Sequence, residues 1–275
     1  MKVFLFENIK IHTPESLDEM KKVMLDMLLE GEPAKVDGVK AAPSVISFIN
    51  PEIFLKQNHR SQKSLLHQYF LNTKYNFLDG IGIIYAINSR LGTTYNITNR
   101  YPGTDFFNYL PDIQSLEAAG RGKIRIFLYG AQKERNIIAG ERLSHSFDGV
   151  EIVGNQDGFS QICDDYLVQK MNASNPDIII VCTGCPKQEL WIQKNLSKLN
   201  ARLVFGNGGS IDFWSGAVKR APKTMINFGF EWLFRLTQDF SPRRIKRIFK
   251  ILKFYGNYKF GRYRIEYLKE EENGF

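Results

Sequence analysis

Asp177-Ile-Ile-Ile-Val-Cys182 runs straight into Thr183-Gly-Cys-Pro-Lys-Gln-Glu189, and Arg202-Leu-Val-Phe205 runs in the same way into Gly206-Asn-Gly-Gly-Ser-Ile-Asp-Phe213. Each is a short unbroken apolar run ending in a glycine-bearing turn, with a helical pattern over 187–199 between the two. A strand with one wet face alternates apolar and polar residues. An unbroken run predicts a strand covered on both faces, as in a parallel sheet between helical layers. The pattern recurs outward at 3–6, 45–49, 75–78, 125–129 and 150–153, with helical patterns separating most of the runs. Thr13 offers an N-cap with Pro14 at the first helical position, predicting a helix that continues through Leu29. Residues 31–44 read as a loop, and a helix opens near Pro51. The fold class predicted is α/β: a Rossmann-like, mainly parallel sheet with helices on both faces.

In open parallel sheets, ligands sit outside the carboxyl ends of the strands. That rule groups Asn50, Asp79, Gly130, Asp157, Gly184 and Gly206, each of which follows a predicted strand. The turn at Gly184 also opens a helix, whose unpaired N–H groups and positive end suit a phosphate. Glycine there lets the backbone approach closely, Pro186 fits the first helical turn, and Gln188 stands within reach of a ribose or base edge. A tight strand-to-helix turn with no ligand explains the same residues. The Gly206–Asp212 run is neither GxGxxG nor a P-loop, and its Asp212 suits ribose hydroxyls or a helix cap equally.

Asp79, in Phe77-Leu-Asp-Gly80, is placed either as a general base or as a turn aspartate bonded to its own backbone. Arg100 has two candidate partners, a phosphate and Asp105. Cys182-x-x-Cys185 at a helix start is a dithiol signature, and an oxidoreductase is the sharpest competing chemistry. Against it, the βα units before the motif are too many for a small redox fold, and Cys182 closes an apolar run where a buried thiol is usual. Cys163 is the remaining cysteine and no histidine has ligand spacing, so no metal site is predicted. No Asp-x-Asp occurs, which leaves phosphate charge to Arg, Lys and backbone N–H groups.

The charge is unevenly placed. Residues 219–275 carry 14 Lys/Arg against 6 Asp/Glu, so of the chain's 37 basic and 29 acidic groups the remainder hold 23 of each. The net +8 therefore belongs wholly to the tail, which calls for an anionic partner. There, Ile245, Ile248, Phe249, Leu252 and Tyr255 recur at helical spacing, interleaved with Arg243, Arg244, Lys246, Arg247, Lys250 and Lys253. A basic amphipathic helix of this kind lies on a membrane surface or packs its stripe on the domain; nucleic acid is a further reading, without a recognised binding motif to support it. No window approaches the ~18–20 apolar residues of a membrane span. Three cysteines and no secretory pattern at the start predict a reducing cytoplasm. The predicted organisation is an α/β domain over 1–222 and a basic, membrane-facing helical appendage over 223–275. Oligomeric state stays open, a homo-oligomer included.

These pieces in order resemble the WecG/TagA/CpsF family of bacterial glycosyltransferases (glycosyltransferase family 26) over roughly residues 45–250. The residues that carry the resemblance are Gly184-Cys-Pro-Lys-Gln-Glu189, Gly208-Gly-Ser-Ile-Asp-Phe213, Lys219-Arg-Ala-Pro222 and Glu231-Trp-Leu-Phe-Arg235. Asp79-Gly-Ile-Gly82, Arg100-Tyr-Pro-Gly-Thr-Asp105 and Asn50-Pro51 support them. The resemblance implies an inverting, metal-independent enzyme without a cofactor. It would move a sugar of the N-acetylhexosamine, hexose or uronic-acid type from a UDP-sugar to a polyprenyl-diphosphate-linked sugar. It would do so at the inner face of the cytoplasmic membrane, in cell-surface polysaccharide or teichoic-acid-type synthesis. It implies Asp79 as base with Asn50 beside it. Donor and nucleotide binding fall to Arg100, Gly184, Lys187, Gln188, Gly208, Gly209 and Asp212. Arg235, Arg243 and Arg247 would close over the diphosphate. The chain departs from the family pattern at Phe48, where a threonine is frequent, and at Cys185, where a smaller residue is usual.

Overall fold

A computed structural model describes residues 1–30, 35–36, 39–40, 42–51, 55, 65–92, 100–227, 231–238 and 242–268. Nine strands form one mixed, mainly parallel sheet, in the order β11-β1-β2-β6-β5-β10-β9-β7-β8. They are β1 (Lys2–Phe6), β2 (Ile9–Thr13), β5 (Ser44–Ile49), β6 (Tyr75–Leu78), β7 (Ile124–Gly130), β8 (Val150–Gln156), β9 (Ile178–Cys182), β10 (Leu203–Gly206) and β11 (Ile265–Leu268). Two short strands, β3 (Lys35–Val36) and β4 (Val39–Lys40), pair separately within the predicted loop. The chain divides into two compact units: Met1–Ser16 with Phe48–Pro102 and Lys219–Phe275, and Leu17–Ser47 with Gly103–Val218.

The second unit carries the parallel core. β10 pairs in parallel with β5 and β9, and β7 pairs in parallel with β9 and β8. Every residue of β9 is buried, as its unbroken apolar run requires, and Ile178, Ile179, Ile180 and Val181 are wholly inaccessible. Helices α5 (Lys133–Ser146), α6 (Asp164–Ala173), α7 (Lys187–Asn195) and the short α8 (Ser210–Trp214) follow β7, β8, β9 and β10 respectively. Two further helices of this unit, α1 (Leu17–Leu29) and α4 (Ile113–Ala118), precede β5 and β7. At the amino end of β9, Asp177 accepts from the Arg121 guanidinium at 2.6 Å and from the Arg125 backbone at 3.0 Å.

The first unit is built on a hairpin that differs from the sequence expectation. β1 and β2 pair antiparallel with Val3 opposite His12, and Glu7 and Asn8 form the turn with φ of 50° and 68°. The expected N-cap Thr13 is thus the last residue of β2, and α1 starts at Leu17. The apolar residues of 9–13 suited a strand as well as the approach to a helix, and pairing with β1 decided it. β2 pairs in parallel with β6, and the helices α2 (Leu65–Leu71) and α3 (Ile81–Leu91) flank β6 in the chain. The basic tail forms α9 (Lys223–Asn227), α10 (Glu231–Gln238) and α11 (Pro242–Lys259), then β11, which pairs antiparallel with β1.

The α11 stripe divides. Phe254 is fully buried, its ring 6.2 Å from Phe6 and 5.2 Å from Tyr263, whereas Phe249 and Leu252 are 66% and 59% exposed. Packing on the unit and exposure to solvent are both present on one helix, at different residues.

Candidate active site

Two groups of candidate residues emerge, one in each unit. In the first unit, β5 ends at Ile49 and β6 at Leu78, and the carbonyl of Ile49 accepts from the N–H of Asp79 at 3.0 Å and of Gly80 at 3.3 Å. Those two bonds fix the backbone on which the Asp79 carboxylate is carried, directly beside Asn50. Gly80 is packed against Pro51 and the Asn50 backbone so closely that any side chain would collide. Asp79 is half-buried, and α3 starts two residues later. Phe48, one of the two departures from the resembled pattern, is a core residue whose ring centroid lies 5.9 Å from that of Phe77.

Arg100 lies in the same unit, beside the end of β6, because the following N–H, of Tyr101, donates to Leu78 at 2.6 Å. Its guanidinium turns toward the C-terminal segment: it donates to the Ile226 carbonyl at 3.1 Å and stands 3.8 Å from the Glu231 carboxylate. Its protein partners are thus Ile226 and Glu231 rather than Asp105. The same segment returns through α11, where the Tyr255 hydroxyl would lie 3.2 Å from a methyl placed on Gly82. The Tyr255 phenol has its pKa raised by burial and then by Tyr85. Arg235 lies on α10, and Arg243 and Arg247 on α11; their side chains lie outside the described residues.

In the second unit, β9 and β10 end in the two glycine turns. Gly184 has φ of 89°, a conformation that disfavours a side chain, and Pro186, joined to Cys185 by a cis peptide bond, precedes the first helical residue, Lys187. Lys187 is exposed at that end. Gln188 is buried: its Oε1 accepts from the Gly184 N–H at 3.1 Å and its Nε2 donates to Glu189 at 2.8 Å. The Gly184 N–H is therefore engaged inside the turn. Those of Gly208 and Gly209, both exposed, donate to no described residue. Asn207 ties the second turn down through its backbone to Val181 and its side chain to Gly103, each at 2.8 Å.

Asp212 follows in α8 and is paired with Arg135 at 2.8 Å. Arg135 was not among the expected residues. Its local signature is a cation in the first turn of a helix, where the dipole disfavours one. Farther along the same edge, Asp157 accepts from the Ser160 hydroxyl at 2.5 Å and from the N–H of Phe159 and Ser160. The Ser160 hydroxyl leads in holding the Asp157 carboxyl below the ordinary aspartate range.

Cys182 and Cys185 are both unbridged, and burial pushes the Cys182 thiol far up, the reverse of what a reactive thiolate needs. Among the described residues, no three His, Cys, Asp or Glu side chains gather to hold a metal ion, and no helix is long and apolar enough to cross a membrane.

A mainly parallel α/β sheet with glycine turns at its carboxyl edge, and an aspartate held at another strand end, is the equipment of a group-transferring enzyme. Residues 29–266 match the model of the "Glycosyl transferase WecG/TagA/CpsF family", and the chain belongs to that family of glycosyltransferases. It is 37% identical over 236 residues (84% of this chain and 81% of the relative) to the N-acetylglucosaminyldiphosphoundecaprenol N-acetyl-beta-D-mannosaminyltransferase of Bacillus subtilis strain 168. It is 35% identical over 207 residues, 74% of each chain, to the protein of the same name from Bacillus spizizenii strain W23.

Proposed function

We propose that this enzyme transfers an N-acetylhexosaminyl group, of the N-acetylmannosamine type, from a UDP-sugar to a polyprenyl-diphosphate-linked amino sugar. The observation that carries this reading is the similarity, over most of both chains, to an enzyme named for that transfer. Asp79 takes the proton of the acceptor hydroxyl as its oxygen bonds to the anomeric carbon. The bond from that carbon to UDP breaks on the opposite face, and its electron pair leaves on the β-phosphate oxygen, inverting the centre. Asn50 orients the acceptor hydroxyl or the carboxylate. The departing charge is met by the N–H groups of Gly208 and Gly209, by Lys187 and by Arg235, Arg243 and Arg247, without a divalent ion. Preorganised donors of this kind contribute about 3 kcal/mol each to a transition state. Arg100 serves by holding the C-terminal segment, and the Arg135–Asp212 pair by presenting a carboxylate to the ribose.

The basic tail and the exposed Phe249 and Leu252 fit a peripheral position on the inner face of the cytoplasmic membrane, where a lipid-linked acceptor resides. The test of the central step is Asp79→Asn, which keeps size and removes the base. UDP affinity by calorimetry should stay within about two-fold of the wild type, and transfer to a short-chain polyprenyl-diphosphate acceptor should fall at least about a thousand-fold. Near-normal turnover would remove Asp79 from this role.

A further inference from the structure

We propose that Gln188 is a positioning residue, a brace clamped between the two glycine turns that fixes their spacing. It shapes the nucleotide site without touching the nucleotide. The proposal rests on the transferase reading and replaces the expectation that Gln188 reaches a ribose or base.

Gln188 is 2% exposed, on the first turn of α7. Its amide is held inward: Oε1 takes the Gly184 N–H at 3.1 Å, and Nε2 gives to the buried Glu189 carboxylate at 2.8 Å. The residue's own N–H returns to the Gly184 carbonyl at 3.1 Å. Gly184 is thereby gripped from both sides by one residue.

The other turn is fitted around the same amide. A methyl at residue 206 would lie 2.5 Å from Gln188 Nε2 and 2.7 Å from its Cδ and Cγ. A methyl at residue 208 would lie 3.0 Å from Gln188 Oε1 and 3.0 Å from the Gly184 Cα. The Gln188 side chain thus occupies the space a side chain at 206 would need, and a side chain at 208 would crowd both that amide and the first turn. The turns abut through this amide, and its position sets the gap between the backbone of Gly184 and the donors of Gly208 and Gly209. A hydrogen-bonded amide does this better than an apolar side chain of equal size, because it fixes the angle of the Gly184 peptide as well as its distance.

The experiment is a double-substitution cycle in the full chain, using Gln188→Ala, Gly206→Ala and the pair, with Gln188→Leu as a variant that keeps volume and loses both bonds. Thermal unfolding and calorimetric titration with UDP are read for each. Gly206→Ala should lower the melting temperature by several degrees in the wild type and by about a degree or less with Gln188→Ala, where the colliding amide is gone. Gln188→Leu should weaken UDP binding by about ten-fold, the scale of one lost hydrogen bond, while KM for the lipid acceptor holds. Additive melting shifts would overturn the brace. Unchanged UDP affinity in folded Gln188→Leu would overturn its influence on the site, as would equal losses for UDP and acceptor. A wild-type protein that binds no UDP would overturn the transferase reading, and the melting cycle would still decide whether Gln188 braces the turns.

Discussion

Arg135 Nη1 meets Asp212 Oδ1 at 2.8 Å, joining the first turn of α5 to α8 across 77 positions of sequence. The pair keeps the carboxylate in one direction at the carboxyl edge of the sheet. Arg135→Ala should therefore change stability by less than about 1 kcal/mol, since both side chains remain about a third exposed. UDP affinity should fall about five-fold as Asp212 loses its orientation. Calorimetry and thermal melting of the same preparation separate the two effects, and an unaltered affinity would show that Asp212 needs no help from Arg135.

Arg100 should be a residue of the C-terminal segment's attachment. Its side chain is 10% exposed, with the guanidinium bonded to Ile226 and close to Glu231. Arg100→Ala should cost about 1–3 kcal/mol and speed hydrogen exchange across 223–238 ahead of the rest of the chain. Uniform exchange in that region before and after substitution would argue against an anchoring role.

The divided face of α11 gives opposite expectations for neighbouring residues. Phe254→Ala empties a site wholly inside the first unit and should destabilise by about 3–5 kcal/mol. Phe249→Ser with Leu252→Ser should leave the melting temperature within a degree or two and lower sedimentation with vesicles rich in anionic lipid. Equal vesicle binding by that double variant would take these two side chains out of the membrane contact.

An acid titration has a built-in reporter. Lys194 holds the Asp164 carboxyl below its ordinary value, burial opposes this, and the Trp191 indole N–H, 2.9 Å away, adds to the lowering. A carboxyl depressed in the folded state contributes stability above its unfolded pKa and loses it as pH falls through the folded value. With Trp214→Phe and Trp232→Phe, Trp191 emission should change at a midpoint below the ordinary aspartate range. Lys194→Ala should move that midpoint upward; a fixed midpoint would exclude Lys194 as the cause.

The parallel core was legible because its signals are local. Unbroken apolar runs at 178–182 and 203–205, each followed by glycine, specify buried strands and the turns after them without reference to the rest of the chain. Hidden features depend on distant partners. Glu7-Asn8 is an uncommon residue pair for a hairpin turn with both φ positive, and 9–13 became a strand by pairing with β1. The direction of the Gln188 side chain follows from glycines 18 and 20 positions later, and the partner of Asp212 lies in another helix. Composition likewise reported the charge of the tail accurately while giving no sign that its final strand belongs to the sheet.

That last pairing has a consequence for how the protein is made. Val3 lies opposite Leu268, so the edge of the sheet holding the hairpin is left open until residues 265–268 have left the ribosome. At about 5–20 residues per second, β1 waits on the order of tens of seconds for its partner. The parallel core contained in Leu17–Ser47 and Gly103–Val218 has all its strands available well before then. A nascent chain would thus have its glycine turns in place while the unit that carries Asp79 still lacked the strand that pairs with β1.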